Sequence, residues 1–342
     1  KRSLDFKSLF YRRLVAVAIP LFITIPLALW LRSYWALVFG TIAVNLSNAI
    51  ILTLQSPWKP RFYYSFARLK DMLSFSVWSM FDAILIWATN YIEIFFIGCM
   101  LSAYYLGIYK TSMTTVTQFT SVITSAILPV IMPALSRTQH DYAAMREILL
   151  KIQKYLGILL LPIGFCILMF SQLITDILLG SQWQEAVPFI GIWGLMEVIT
   201  VVFQRICSNI FPAIGKPRIS VTVQVLHLVV LIPAVYISIG YGFSVLFYTR
   251  AFVRLQLVAV CSLFAYWTIK LSFTSMLKNL IPEFLACVSM CLVAAFLLGI
   301  NRSMVCSVLW IILSACMYVC VLYLFPQERV IIKGLKSKLF RR

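Results

Sequence analysis

MLSFSVWSMFDAILIWATNYIEIFFI, residues 72–97, is an unbroken apolar run that nonetheless carries two acids, Asp82 and Glu93. A helix needs about 20 predominantly apolar residues to cross a bilayer, and this run supplies them. Arg68 and Lys70 precede it, and no cation follows until Lys110. Length, apolarity and one-sided positive charge predict a helix that leaves the cytoplasm here and crosses outward. Carried along the chain in both directions, the same reading gives ten spans. They are Leu14–Leu31, Tyr34–Leu54, Met72–Ile97, Leu106–Leu128, Ile152–Leu173, Ala186–Ile210, Ile219–Ile239, Ser244–Trp267, Leu280–Ile300 and Met304–Phe325. Helices satisfy their own backbone hydrogen bonds in lipid. The alternating strands of about ten residues that mark a β-barrel are missing from the sequence.

Bulk composition agrees with that reading. Of 342 residues, 62% are hydrophobic and 12% charged, with a mean hydropathy of +0.95. Soluble domains carry about 25% charged residues. The net charge of +18 sits in short loops beside apolar runs. Its natural partners are therefore anionic lipid headgroups rather than nucleic acid. The nine cysteines form no C-x-x-C pair and lie near no histidine cluster, so neither a metal nor a cofactor is expected.

The distribution of the 29 lysines and arginines carries the topology. Lys1, Arg2, Lys7, Arg12 and Arg13 precede span one, and Lys59, Arg61, Arg68 and Lys70 follow span two. Arg137, Arg146, Lys151 and Lys154 follow span four, Lys216 and Arg218 span six, and Lys270 and Lys278 span eight. Arg329, Lys333, Lys336, Lys338, Arg341 and Arg342 form the tail. The intervening gaps hold only Arg32 and Arg302. Both ends are thus expected in the cytoplasm. The stretches Arg61–Leu73 and Arg329–Arg342 mix cations with apolar residues and are read either as interfacial helices or as simple charge anchors. The chain begins at Lys1 and its first methionine is Met72, so it reads as the C-terminal part of a longer protein. Prolines 20, 26, 162, 188 and 233 fall inside the spans and are expected to kink them.

Seven ionisable residues are counted within the runs: Lys110, Arg205, Arg250 and Arg254, with Asp82, Glu93 and Glu197. Each costs about 2.5–3.5 kcal/mol at a span centre, so they are expected to face one another or a water-filled cavity. Asp82 and Glu93 are three turns apart and share a face with Thr89. Arg250 and Arg254 share a face of span eight. Two readings are open. One is structural ion pairing, for example Asp82 with Arg250. The other is a cavity in which Arg250, Arg254, Arg205 and Lys110 bind an anionic substrate, phosphate above all because guanidinium binds it bidentately. In that second reading Asp82, Glu93 and Glu197 serve ion coupling or gating. Lys110, near the outer end of its span, also fits a snorkelling role, and His227 fits a packed core position. D-x-D, H-E-x-x-H, G-x-S-x-G and P-loop motifs are absent from the sequence, and the expected class is a transporter rather than an enzyme.

Five stretches in order then resemble a known family. They are SPWKPRFYYSF at Ser56–Phe66, NYIEIFFIG at Asn90–Gly98 with LGIY at Leu106–Tyr109, MPALSRTQHD at Met132–Asp141, GSQWQEAVPF at Gly180–Phe189, and SNIFPAIGKPRIS at Ser208–Ser220. The chain is similar to the Wzx-type polysaccharide and O-antigen flippases of the multidrug/oligosaccharidyl-lipid/polysaccharide exporter superfamily. That resemblance implies an all-α bundle of fourteen helices in two lobes, like the MATE fold, of which about ten are present. Residues 1–55 would end the N-terminal lobe, 56–71 link the lobes, 72–269 form the six-helix C-terminal lobe, and 270–342 add two helices and the basic tail. The acid at Glu93 matches the family's acidic position there. The implied function is flipping of a polyprenyl-diphosphate-linked oligosaccharide across the bacterial inner membrane by alternating access. Membrane lipids, a coupling proton or Na⁺, and glycan polymerase or export proteins are the implied partners. Two rivals are an ion-coupled multidrug antiporter, expected to have an acid-dominated cavity, and a non-transporting membrane subunit of a glycan-synthesis complex.

Overall fold

The computed structural model describes residues 20–31, 33, 35–55, 66–301, 303–326 and 328–331. The N-terminal cations, most of the expected linker and most of the basic tail lie outside the described residues. The chain divides into two compact units, Lys1–Leu69 and Lys70–Arg342.

In the first unit a π-helical turn at Pro20–Thr24 leads into α1 (Ile25–Leu31), and α2 spans Trp35–Gln55. Gly40 of α2 sits directly against Thr24, where a Cβ would collide with the threonine side chain. This contact is one place where only glycine fits. α2 covers all but the first residue of the expected span Tyr34–Leu54, and the expected span Leu14–Leu31 is described from Pro20 onward.

The second unit is all helical among its described residues. α3 (Phe66–Met100), α4 (Ala103–Arg137) and α5 (Tyr142–Met169) are followed by the short α6 (Ser171–Leu178) and a 3₁₀ turn at Ser181–Ala186. α7 (Val187–Ile199) continues through a π-helical segment, Thr200–Arg205, and two short turns, Ile206–Ser208 and Ile210–Ala213. Then come α8 (Pro217–Ile239), α9 (Phe243–Ile269), the short α10 (Phe273–Asn279), α11 (Ile281–Ile300) and α12 (Met304–Leu324). Eight helical stretches among the described residues are long and apolar enough to cross a membrane, and they coincide with spans three to ten. The protein is an all-α polytopic membrane bundle.

The boundaries differ from expectation where local chemistry extends a helix past the apolar run. α5 starts at Tyr142 rather than Ile152 because Asp141 caps it, its Oδ1 accepting from Ala143 N and Ala144 N at 3.0 Å each. Such a cap satisfies the orphan amides of a first turn. Pro188 does not kink a span. It occupies the first turn of α7, where proline's missing N–H has no intrahelical partner to lose.

α7 and its continuation form the central span. Its apolar window over Ser181–Ala213 is 72% buried, against at most 50% for the other seven. α5 packs on it through reciprocal glycines. A Cβ on Gly164 would meet Val198 at 3.0 Å, and one on Gly194 would collide with Ile167. Without a hydrophobic drive between helices in lipid, small residues that allow close backbone approach are what hold such pairs. Two apolar clusters stack along this axis. One contains Tyr109, Phe189, Trp193, Phe243, Phe247 and Ala251. The other contains Val198, Val201, Ile206, Leu257, Val258 and Cys261. On α7 the handover between clusters falls at Glu197, and on α9 it falls at Arg254. The charges occupy the seam.

Candidate functional site

α3 turns one narrow face inward. From Phe75 to Met100 only Thr89, Glu93 and Ile97 are buried, and Asp82 is half-buried on the same side. This is the stripe that the spacing predicts. Opposite it, α9 presents Arg250, 2% exposed, and α7 presents Glu197, 1% exposed. Arg250 Nε donates to Glu93 Oε2, and its Nη2 reaches the Thr89 carbonyl at 3.5 Å. Arg254 Nη1 donates to Glu197 Oε2. Arg205 Nη2 donates to the other oxygen of Glu197 at 2.6 Å. A bare charge here would cost several kcal/mol, and opposite charges with direct hydrogen bonds are the arrangement that makes burial tolerable.

Two local features aim these side chains. Glu197 and Arg205 would stand about 80° apart on a straight α-helix. The π segment acts as a one-residue insertion and brings the offset to roughly 20°. On α9, the four-residue spacing of Arg250 and Arg254 sets both guanidinium groups over the Trp193 ring, at 5.7 and 3.8 Å from its centre. Trp193 is fully buried, and a desolvated cation over its face is held by the ring quadrupole.

Below the seam is a cavity of about 400 Å³. Arg250, Arg254, Arg205 and Glu197 line one end, and Asp82, Thr89 and Asn90 line the α3 wall. Thr200, Gln204, Ser208, Asn209, Ser220, Gln224 and His227 complete its polar surface. Thr89 Oγ1 lies 3.5 Å from Gln224 Oε1, and His227 Nδ1 lies 2.8 Å from Gln256 Oε1. His227 is fully buried. Asp82 makes no ion pair among the described residues, and its Oδ1 is buried without a hydrogen-bond partner.

Six of the seven charges singled out in the sequence therefore converge. The suggested Asp82–Arg250 pair is corrected: Arg250 takes Glu93, three turns further along the same stripe. Lys110 is not brought to the cavity. It is exposed on α4. Glu283 lies in the run Leu280–Ile300 and Lys154 near the start of the run Ile152–Leu173, and they join the seven as an eighth and ninth charge inside the spans. They form a second ionic cluster that sequence spacing did not suggest. Lys154 Nζ stands 3.1 Å from Glu283 Oε1, 2.5 Å from Glu328 Oε1 and 2.6 Å from the Asn279 carbonyl. Both glutamates are fully buried. The usable signal was Glu283's place inside an apolar run. Trp193 carried no such signal, because one tryptophan among nine gives no hint of the cation above it.

A family described as "Polysaccharide biosynthesis protein" matches residues 1–188, more than half of the chain. The chain belongs to this family. Membership agrees with the Wzx-type resemblance carried by the five sequence stretches. Curated relatives give the same picture at low identity. The Escherichia coli (strain K12) "Lipopolysaccharide biosynthesis protein WzxC" is 21% identical over 231 residues, 66% of this chain and 46% of that protein. The Rhizobium meliloti (strain 1021) "Succinoglycan biosynthesis transport protein ExoT" is 25% identical over 214 residues, 62% of this chain and 42% of that protein. The Bacillus subtilis (strain 168) "Teichuronic acid biosynthesis protein TuaB" is 22% identical over 169 residues, 49% and 35% of the two chains. The matches span a third to a half of these relatives' lengths. No solved structure matches the chain. The protein is a multi-pass membrane protein of this family.

Proposed function

We propose that the chain belongs to an exporter that flips a polyprenyl-diphosphate-linked oligosaccharide across the bacterial inner membrane by alternating access, with both ends of the chain in the cytoplasm. The carrying observation is Glu197 shared between Arg254 and Arg205 at the end of a polar cavity. Two guanidinium groups meet one carboxylate, so one positive charge is in surplus and a phosphate oxygen can compete for it. Arg250 is spoken for by Glu93 and acts as the anchor between α3 and α9. Lys110 stays a substrate-contact candidate only if the substrate touches the exposed face of α4. Asp82, facing the cavity without a cation, is the coupling residue for a proton or Na⁺, and Glu93 and Glu197 gate by exchanging partners.

Among the cavity-lining charges, arginines outnumber acids by three to two. That balance favours an anionic substrate over the cationic drugs of an antiporter. The name of ExoT, a biosynthesis transport protein, supports transport over a non-transporting assembly role. The test is complementation of a glycan-export-deficient strain by the full-length gene product. Arg254→Gln is expected to cut surface glycan at least about tenfold at matched membrane abundance, the loss of a charge-assisted contact to phosphate. Normal surface glycan in that variant would overturn the assignment. Cysteine placed at 82 or 254 on a cysteine-free background should react with a water-soluble maleimide, and inertness at both would remove the cavity from the transport route.

A further inference from the structure

The arginines deep in the bundle are already held by carboxylates. The cations at the start of α8 are not. Lys216 and Arg218 make no ion pair among the described residues and both are exposed. With Pro217 and Ile219 they line a recess of about 500 Å³ whose other wall is Phe75 and Trp78 of α3. The Arg218 guanidinium lies over the Trp78 ring, 5.0 Å from its centre. This stacking fixes the cation in place and leaves its edge N–H groups free to donate, the geometry in which guanidinium takes a phosphate. Gly215 closes the recess with φ +73°, a conformation that only glycine adopts at little cost.

The recess adjoins the main cavity along both of its walls. On α3 the step is one helical turn, from Trp78 to Asp82, and on α8 the lining of the recess ends at Ile219 and that of the cavity begins at Ser220. A ligand that engages both cations needs a compact double negative charge, and an apolar portion to cover the faces of Phe75 and Trp78. We infer that Lys216, Arg218, Trp78 and Phe75 form a docking site for the diphosphate headgroup of a polyprenyl lipid, beside the entrance to the cavity and separate from the Glu197 arginines. The inference rests on the export reading, because it assigns that reading's substrate a first contact. A simple charge anchor would take any anionic headgroup and would need no aromatic floor.

The test measures binding of farnesyl diphosphate, a short soluble probe, to the full-length gene product in nanodiscs. In phosphatidylcholine nanodiscs, Lys216→Gln/Arg218→Gln is expected to bind at least about tenfold more weakly than the native protein. Trp78→Leu is expected to bind about threefold more weakly, through loss of the stacked orientation. Lys151→Gln, an exposed cation elsewhere on the chain, should stay within about twofold. Binding of the double variant within twofold of native would overturn the site. So would an equal loss in Lys151→Gln, which would indicate bulk charge. Abolition of probe binding by phosphatidylglycerol nanodiscs would assign the recess to bulk phospholipid and also overturn it. If the double variant loses the probe while Arg254→Gln still exports normally, the docking site stands and the export reading falls. If Arg254→Gln loses export while the double variant keeps the probe, the export reading stands and the docking site falls.

Discussion

Two buried ionic clusters in this bundle use the same chemistry and differ in what surrounds them. Near the middle of α5, Lys154 is enclosed by Glu283, Glu328 and the Asn279 carbonyl, with its side chain 9% exposed and both carboxylates at zero. At the seam, Glu197 takes Arg254 at 11% and Arg205 at 38% side-chain exposure. The first cluster has an excess of acid and touches none of the described cavities. The second has an excess of base and opens into one. A closed cluster can only hold elements together, here α5, α11 and the segment after α12. An open cluster can exchange one partner for a ligand. Enclosure, rather than charge, separates a structural ion group from a candidate site.

If that distinction is right, damage to the closed cluster should appear as lost stability. Lys154→Met leaves two buried carboxylates without a cation, and removing one partner of a buried pair costs about 3–5 kcal/mol. Thermal unfolding in detergent should show a larger drop for Lys154→Met than for any single change at the seam. Lys154→Met/Glu283→Gln should recover part of it, because the added amide removes one charge. Arg250→Gln comes next, at about 3 kcal/mol, since Glu93 is then buried alone. The double variant Glu93→Gln/Arg250→Gln should lose less than the two single changes summed, and the difference measures the coupling across α3 and α9. Strict additivity would mean that the pair does not hold these helices.

The sequence made the bundle legible for a simple reason. Span length and loop charge are one-dimensional properties, and lipid penalises departures from them heavily. Faces were legible too, since Asp82, Thr89 and Glu93 follow from a period of 3.6 residues. Pairing was not legible. Whether Arg250 meets Asp82 or Glu93 depends on the axial offset between α3 and α9, which no spacing encodes. Arg205 reaches Glu197 through a π segment whose sequence, TVVFQR, contains no proline or glycine to announce it. Glu328 lies beyond the last span, and its contact with Lys154 joins positions too far apart in sequence for any periodic rule.

The open cluster should respond the other way, with function more sensitive than stability. Arg254→Gln removes a cation stacked on Trp193, worth about 2 kcal/mol when desolvated, while Glu197 keeps Arg205. Its unfolding should shift less than that of Arg250→Gln even though its export loss is the greater. Arg205→Gln gives the smallest expected change in stability. A pair with more than a third of one partner in solvent contributes about 0–1 kcal/mol, and Glu197 still holds Arg254. On the export reading, Arg205 is also the arm that leaves Glu197 when a phosphate arrives, because it is the more exposed of the two. Arg205→Gln should therefore unfold within about 1 kcal/mol of native and still lower surface glycan, with Arg205→Lys restoring part of it by returning a charge without the fork. Export unchanged in Arg205→Gln would move this residue to the structural side of the comparison and leave Arg254 as the sole exchangeable contact.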